Sequence, residues 1–204
     1  MMLDFFLKGG PIMWPLLILS VISVSVVAER IIFIVREIRS RDAAVIEVIL
    51  DKMEQGDIPA AIHAGKLSND FVARVLIYGL AHREHSFSNA LLMAANRELK
   101  RFGKGLSTLD TIITLAPLLG LLGTVTGMIH SFGLLGASGI DSPTTITGGI
   151  SEALIATAFG LVVASVSLIP FNYLNKRQED ARHEIEEAAT HLEILLMKQS
   201  PKTP

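Results

Sequence analysis

The sequence predicts an all-α membrane protein with three transmembrane helices. Half of the 204 residues are hydrophobic, only 19% are charged, and the mean hydropathy is +0.48. The charges are also segregated, with gaps between Lys8 and Glu29, between Asp110 and Asp141, and between Glu152 and Lys176. Each gap reaches the roughly 20 residues that a helix needs to cross the hydrocarbon core. We therefore expect transmembrane helices at about 12–34, 107–135 and 146–174.

The first span has the features of a membrane helix near its start. It begins after "GGP", and Pro15 lies close to that end, where a helix tolerates proline best. Trp14 suits an anchor at the membrane interface. The apolar run is longer than the hydrophobic region of a signal peptide, and "VVAER" is a poor cleavage site. We expect an uncleaved span.

The distribution of Lys and Arg predicts the orientation, because these residues accumulate in cytoplasmic loops. They follow the first span, precede the second and follow the third, whereas the loop "GLLGASGIDSPTTITG" has none. The N-terminus is therefore expected outside, and both residues 36–105 and the C-terminal tail in the cytoplasm. The basic residues concerned are Arg30, Arg36, Arg39, Arg41, Lys100, Arg101, Lys104, Lys176, Arg177 and Arg182.

Apolar residues recur at helical spacing outside the spans as well. One amphipathic helix starts after Asp42, and a short helix is begun by Asp57 with Pro59 in its first turn. Further helices are expected at 69–83 and 87–102. The pattern leaves open whether the last of these ends at Gly103–Gly105 or runs on into the second span.

The C-terminal tail has an apolar seam on a charged helix, formed by Ile185, Ala188, Ala189, Leu192 and Leu195. The chain thus divides into four predicted segments. These are the outer N-terminus with the first span (1–35), a cytoplasmic helical region (36–105), the second and third spans (106–175), and a cytoplasmic C-terminal helix (176–204).

The composition argues against several functional classes. The absence of cysteine removes disulfides, thiolate metal sites and a cysteine nucleophile. A net charge of −2, without a basic stripe, argues against a nucleic-acid partner. There is no phosphate-binding G-x-x-x-x-G-K-[ST] loop, no hydrolytic constellation, and no metal-ligand spacing around the histidines. We expect no enzymatic activity, no cofactor and no metal.

Small residues form a stripe down each of the last two spans, at intervals of three and four. Such stripes let helix backbones approach closely, either within one protomer or between protomers. The stripe residues are Ala116, Gly120, Gly123 and Gly127 in the second span, and Ala153, Thr157, Gly160, Ala164 and Ser167 in the third.

Three polar side chains in these spans are candidate functional residues. Thr124 and Thr157 either return their hydroxyls to the helix backbone or line a wet cavity. Glu152 either lies at the headgroup level or faces the interior of a helix bundle and carries a proton. Spacing alone does not separate these alternatives. His130 is expected at the membrane surface.

Two long motifs resemble the MotA/TolQ/ExbB proton-channel family, in its ExbB/TolQ branch. They are "LAPLLGLLGTVTGMIHSF" (Leu115 to Phe132) and "GGISEALIATAFGLVVA" (Gly148 to Ala164). The three-span plan also resembles this branch, whereas the MotA branch has four spans. The third span departs from the usual pattern, since Val166 stands where the family often has proline and the proline is displaced to Pro170.

The resemblance implies a function and partners. Glu152, Thr124 and Thr157 would line the proton pathway of a homopentameric ring in the bacterial inner membrane. The ring would surround a small single-span protein, ExbD or TolR, and proton flow would energise TonB or TolA. The client system, TonB-type, TolA-type or another, stays open, and the alternative to an ExbB-like subunit is a TolQ-like subunit of the envelope-maintenance Tol system. A passive membrane scaffold has no use for Glu152, and a solute transporter usually has inverted repeats and broken helices.

Overall fold

The structure is a computed structural model that describes Phe6, residues 9–138 and residues 143–199, apart from the side chains of residues 84, 85, 134–146 and 199. The centre of the predicted outer loop, residues 139–142, lies outside these ranges. Within them the regular secondary structure is helical. The helices are α1 (Met13–Arg39), α2 (Ala43–Glu54), α3 (Ile58–Lys66), α4 (Phe71–Ala81), α5 (Arg83–Phe102), α6 (Leu106–Ser138) and α7 (Pro143–Gln199).

Three helices in the described part of the chain are long and apolar enough to cross a membrane. The qualifying segments are Met13–Arg39, Leu106–Gly133 and Thr147–Lys198. The all-helical class and the three candidate spans are therefore confirmed. These helices also expose large apolar side chains, such as Trp14 at 60% and Ile169 at 75%. Exposed apolar surface of this kind marks contact with a membrane or with another protein.

The chain divides into two compact units. The first contains Met1–Glu29 and Gly105–Tyr173, and we call it the apolar unit. The second contains Arg30–Lys104 and Leu174–Pro204, and we call it the charged unit.

The apolar unit has a core to which all three candidate spans contribute. Met13 and Leu16 come from α1, Ile112 comes from α6, and Ala156 and Val163 come from α7. All five are buried, with Leu16 at 0% and Val163 at 6% exposure. Because lipid tails are as apolar as these side chains, the packing itself holds the helices together.

Three helices of the charged unit, α2, α3 and α4, begin at aspartate caps. Asp42 accepts from Val45 N at 3.3 Å, and Asp57 accepts from Ala60 N at 3.0 Å, as expected for a short helix begun by Asp57. Asp70 is fully buried and caps α4 by accepting from Val72 N at 2.7 Å and Ala73 N at 3.2 Å. The helix predicted at 69–83 is therefore shorter, Phe71–Ala81.

The other predicted helices of this unit differ little from the structure. The backbone of Ser86 is extended (φ −171°, ψ 98°), so regular helix within α5 runs over the predicted range 87–102. The apolar seam of the tail is buried, as predicted, with Ile185 at 2% and Leu192 at 0% exposure.

The structure decides how the long helices begin and end. Helix α5 ends at Phe102, and α6 starts at Leu106. Between them Gly103 N donates to Leu99 O at 2.9 Å, and Gly105 has a φ of 82°, which a helix cannot contain. In contrast, the third span and the tail form one helix, α7, with Pro170 inside it.

An ion-pair network joins α1, α4 and α5 within the charged unit. Arg74 Nη2 lies 2.7 Å from Glu37 Oε1 and 3.0 Å from Glu98 Oε2, and Arg101 pairs with the same two carboxylates. Glu37 and Glu98 are buried, at 7% and 8% exposure. Burial by itself lowers the pKa of Arg74, but the hydrogen bonds and charges of Glu98 and Glu37 outweigh it and raise that pKa above its ordinary value.

Candidate functional site

The two small-residue stripes face each other within a single chain. A Cβ built on Gly160 would lie 2.5 Å from Ala116 O, and one built on Gly123 would lie 2.7 Å from Ala156 Cβ. Helices α6 and α7 therefore approach with almost no side chain between them. These contacts belong to one protomer, which is one of the two arrangements that the sequence left open. The facing pairs are Gly160 with Ala116, Gly120 with Thr157, Gly123 with Ala156, and Gly127 with Ala153. Ala164 belongs to the core of the same unit.

The two predicted threonines use their hydroxyls differently. Thr157 Oγ1 donates across the helix pair to Gly120 O at 2.8 Å. Thr124 Oγ1 donates to Leu121 O of its own helix at 2.7 Å. Within the described part of the chain neither hydroxyl bonds to Glu152. Each threonine proton is held by a backbone carbonyl, so each oxygen keeps its lone pairs available as acceptors.

Glu152 lies half-buried on α7, next to the turn that precedes α1. A Cβ built on Gly10 would overlap Glu152 Oε1 and lie 2.8 Å from its Cδ. The carboxyl group is therefore packed against main chain on one side. The sequence motif identified this glutamate, but nothing in the motif indicates that Gly10 is its neighbour.

A pair of buried hydroxyls joins α1 to α7. Ser23 Oγ lies 2.6 Å from Ser167 Oγ, and Ser167 donates to Val163 O at 2.7 Å, so Ser23 is the donor of the pair. The two serines are 5% and 2% exposed. Sequence reasoning placed Ser167 on a stripe but missed Ser23. The available signal was a hydroxyl in an aliphatic span, since such a group needs a partner in lipid.

The remaining polar candidate, His130, is exposed near the end of α6. Among the residues that the structure describes, no group of three or more His, Cys, Asp or Glu side chains is arranged to hold a metal ion. Of the candidate residues in the apolar unit, Glu152 thus supplies a carboxyl group, and Thr124 and Thr157 supply hydroxyls.

Comparison with known proteins identifies the family. The model of the MotA/TolQ/ExbB proton channel family matches residues 66–187, which is more than half of the chain. The match includes all of α4, α5 and α6, and α7 as far as Glu187.

Relatives of known name agree with this match. A Synechocystis protein named as a biopolymer transport protein, ExbB-like 1, is 38% identical over 203 residues, covering 95% of this chain and 78% of the relative. An ExbB homolog of Methanothermobacter thermautotrophicus is 29% identical over 188 residues, covering 90% and 66%. ExbB of Neisseria gonorrhoeae is 37% identical over 101 residues, covering 50% and 46%. The chain therefore belongs to the MotA/TolQ/ExbB proton channel family, in its ExbB/TolQ branch.

Proposed function

We propose that this chain is the proton-channel subunit of an inner-membrane motor that uses the proton motive force to energise an outer-membrane process. A TonB- or TolA-type protein would carry the energy to the outer membrane. The chain would form a homopentamer around a single-span partner of the ExbD or TolR type. Its N-terminus would lie in the periplasm and its C-terminus in the cytoplasm. Membership of the family and the names of the relatives support this proposal.

The observation that carries the proposal is the position of Glu152. It is an ionisable group on a span that packs backbone to backbone against α6, in a unit whose core is apolar. Ionisable groups are costly at such positions and are typical of proton pathways. In this role Glu152 binds a proton from one side of the membrane and releases it toward the other. One charge crossing 100 mV releases about 2.3 kcal/mol, enough to drive a conformational step.

Thr157 and Thr124 would assist as acceptors along the pathway. Because their hydroxyl protons are directed to backbone carbonyls, their oxygens present lone pairs to water molecules that carry excess protons. Thr157 is additionally fixed by its bond across the helix pair, so its position depends on the packing of α6 against α7.

Replacing the carboxyl group tests this function. Glu152→Gln keeps the size of the side chain but cannot exchange a proton, so we expect normal assembly with the single-span partner and loss of coupling to the proton motive force. Glu152→Asp should retain partial function. The measurement is growth that depends on the coupled system, beside a pull-down of the partner. Asp110→Asn, an exposed acid at the start of α6, is the matched control and should grow normally.

Full growth of the Glu152→Gln variant with intact assembly would contradict the proton-carrier role. Glu152 would then serve only as a polar anchor of α7.

A further inference from the structure

The turn before α1 approaches Glu152 through its backbone, and we infer that this turn positions and shields the carboxyl group. We call Gly9 and Gly10 the glycine turn. The inference concerns a positioning element for Glu152, and its importance for proton transfer rests on the proposed function. The contact itself is a property of the fold and can be tested separately.

Three contacts in register place the N-terminal segment along one face of α7. Gly10 lies against Glu152, a Cβ built on Gly9 would lie 3.1 Å from Ile155 Cγ2, and the ring of Phe6 packs edge-on against Phe159 at 6.5 Å. Positions 152, 155 and 159 are three and four residues apart, so they share a helix face. Phe6, Gly9 and Gly10 therefore lie along this face over two turns, so the contact with Glu152 is not a single isolated one.

The turn is held in place from its own side as well. Gly9 N donates to Phe6 O at 3.1 Å, and Met13 N donates to Gly10 O at 3.2 Å. Phe6 also packs edge-on against Trp14, with ring centroids 5.5 Å apart. These interactions fix the main chain of the turn relative to the start of α1.

Two independent constraints select glycine at position 10. Its φ of 74° lies in the left-handed region, which side chains disfavour. Its missing side chain is also what leaves room for the carboxyl, because a Cβ would overlap Glu152 Oε1. Gly9 differs, since a Cβ there would meet the buried side chain of Met13, 2.5 Å from its Cγ and 2.6 Å from its Sδ.

This geometry gives the turn two effects on Glu152. It excludes conformations that direct the carboxyl toward α1, and it covers one side of the group against solvent and reagents. The carboxyl group of Glu152 is then accessible only from the sides that the turn does not cover. The backbone of residues 9 and 10 therefore restricts the direction from which a proton can reach it.

The test measures access to Glu152 with a hydrophobic carbodiimide, which modifies carboxyl groups in apolar surroundings. The full chain is reconstituted in liposomes, and the rate of modification at Glu152 is followed by mass spectrometry. In Gly10→Ala the new methyl group takes the place of Oε1, so the carboxyl must rotate toward its open side. We expect its modification to become about fivefold faster.

A control variant separates the contact from the effect of backbone strain. Gly56→Ala introduces the same backbone strain, at a φ of 79°, where a Cβ would meet nothing within 4 Å. It should label at the wild-type rate. Labelling of Gly10→Ala at or below the wild-type rate would overturn the inference.

A shorter side chain provides the second measurement. Glu152→Ala removes the three atoms nearest to a Cβ on Gly10 but leaves the backbone strain at that glycine. Adding Gly10→Ala to it should therefore lower accumulation only as much as Gly56→Ala does, and this comparison also serves if Gly10→Ala alone fails to accumulate. A double variant as impaired as Gly10→Ala would overturn the inference.

The labelling result and the growth result distinguish the two proposals. Unchanged labelling in Gly10→Ala, together with loss of coupling in Glu152→Gln, rejects the positioning role and leaves the proposed function intact. Faster labelling together with full coupling in Glu152→Gln supports the turn and rejects the proton-carrier role.

Discussion

At the scale of single residues, Thr157 and Thr124 are the same amino acid with different structural tasks. The hydroxyl of Thr157 bridges two helices, whereas that of Thr124 bonds within its own helix. Thr124 lies in the first of the two long motifs and Thr157 in the second, and the family resemblance implies the same role for both. Their different partners mean that an identical substitution should have unequal consequences.

We expect Thr157→Val to destabilise the protein by about 0.6 kcal/mol, and at most about 1.7 kcal/mol, the range measured for hydrogen bonds between membrane helices. Thr124→Val should have a smaller effect, because no interhelical bond is lost. The measurement is the thermal denaturation midpoint of both variants in one detergent. Equal midpoints for the two variants would contradict the assigned roles.

At the scale of secondary-structure elements, the closeness of α6 and α7 depends on glycine. Gly160 is packed against backbone, which cannot move aside as a flexible side chain can, whereas a Cβ on Gly148 of the same helix would meet nothing within 4 Å. Substitution by alanine separates these two situations, because both changes improve helix propensity equally.

Gly160→Ala should lower stability by about 1–3 kcal/mol through overpacking. Gly148→Ala should be neutral, or stabilise by up to about 1 kcal/mol. The measurement is the denaturation midpoint of each purified variant, and native mass spectrometry follows the assembly of each. A neutral Gly160→Ala would show that α6 and α7 separate easily, contrary to the backbone packing described above.

In the charged unit, the helices α1, α4 and α5 are joined by the ion-pair network around Arg74. Arg74→Met removes one of the two arginines that pair with Glu37 and Glu98, and we expect a loss of about 2 kcal/mol. Arg36→Met, at an exposed position of α1, is the matched control and should change stability by less than about 0.5 kcal/mol.

The pH dependence of the Arg74 contribution follows from the direction of its pKa shift. The folded pKa lies above the ordinary value, so the stabilisation is complete below the unfolded pKa and is lost only as the pH rises through the folded one. Both values are far above neutrality. Titration of Arg74 should therefore contribute no pH dependence to the stability between about pH 6 and 9. Denaturation of the wild type and of Arg74→Met across that range checks this prediction.

At the scale of the whole molecule, the proposed topology predicts which parts are accessible from each side. The chain has no cysteine, so single cysteines introduced at Ser138 and at the exposed Ser88 report unambiguously. With the orientation that the basic residues predict, an impermeant thiol reagent added to intact spheroplasts should label the first and not the second. Labelling of both positions from the same side would reject the topology.

The sequence by itself determined the local features of this protein. Charge-free stretches located the spans, acidic caps located the starts of α2 and α3, and the seam of the tail indicated a buried face. These features depend on residues close together in the chain. The two long motifs also singled out Glu152, Thr124 and Thr157, because a motif preserves residue types and their spacing.

Only the tertiary structure decided which surfaces meet. Helical periodicity shows that residues share a face, but it does not say what covers that face, since the covering segment can lie anywhere in the chain. The bond from Thr157 to Gly120, the pair of Ser23 and Ser167, and the Gly10 turn against Glu152 are all of this kind. Each joins residues between 37 and 144 positions apart, so the contact exists only once the helices have packed.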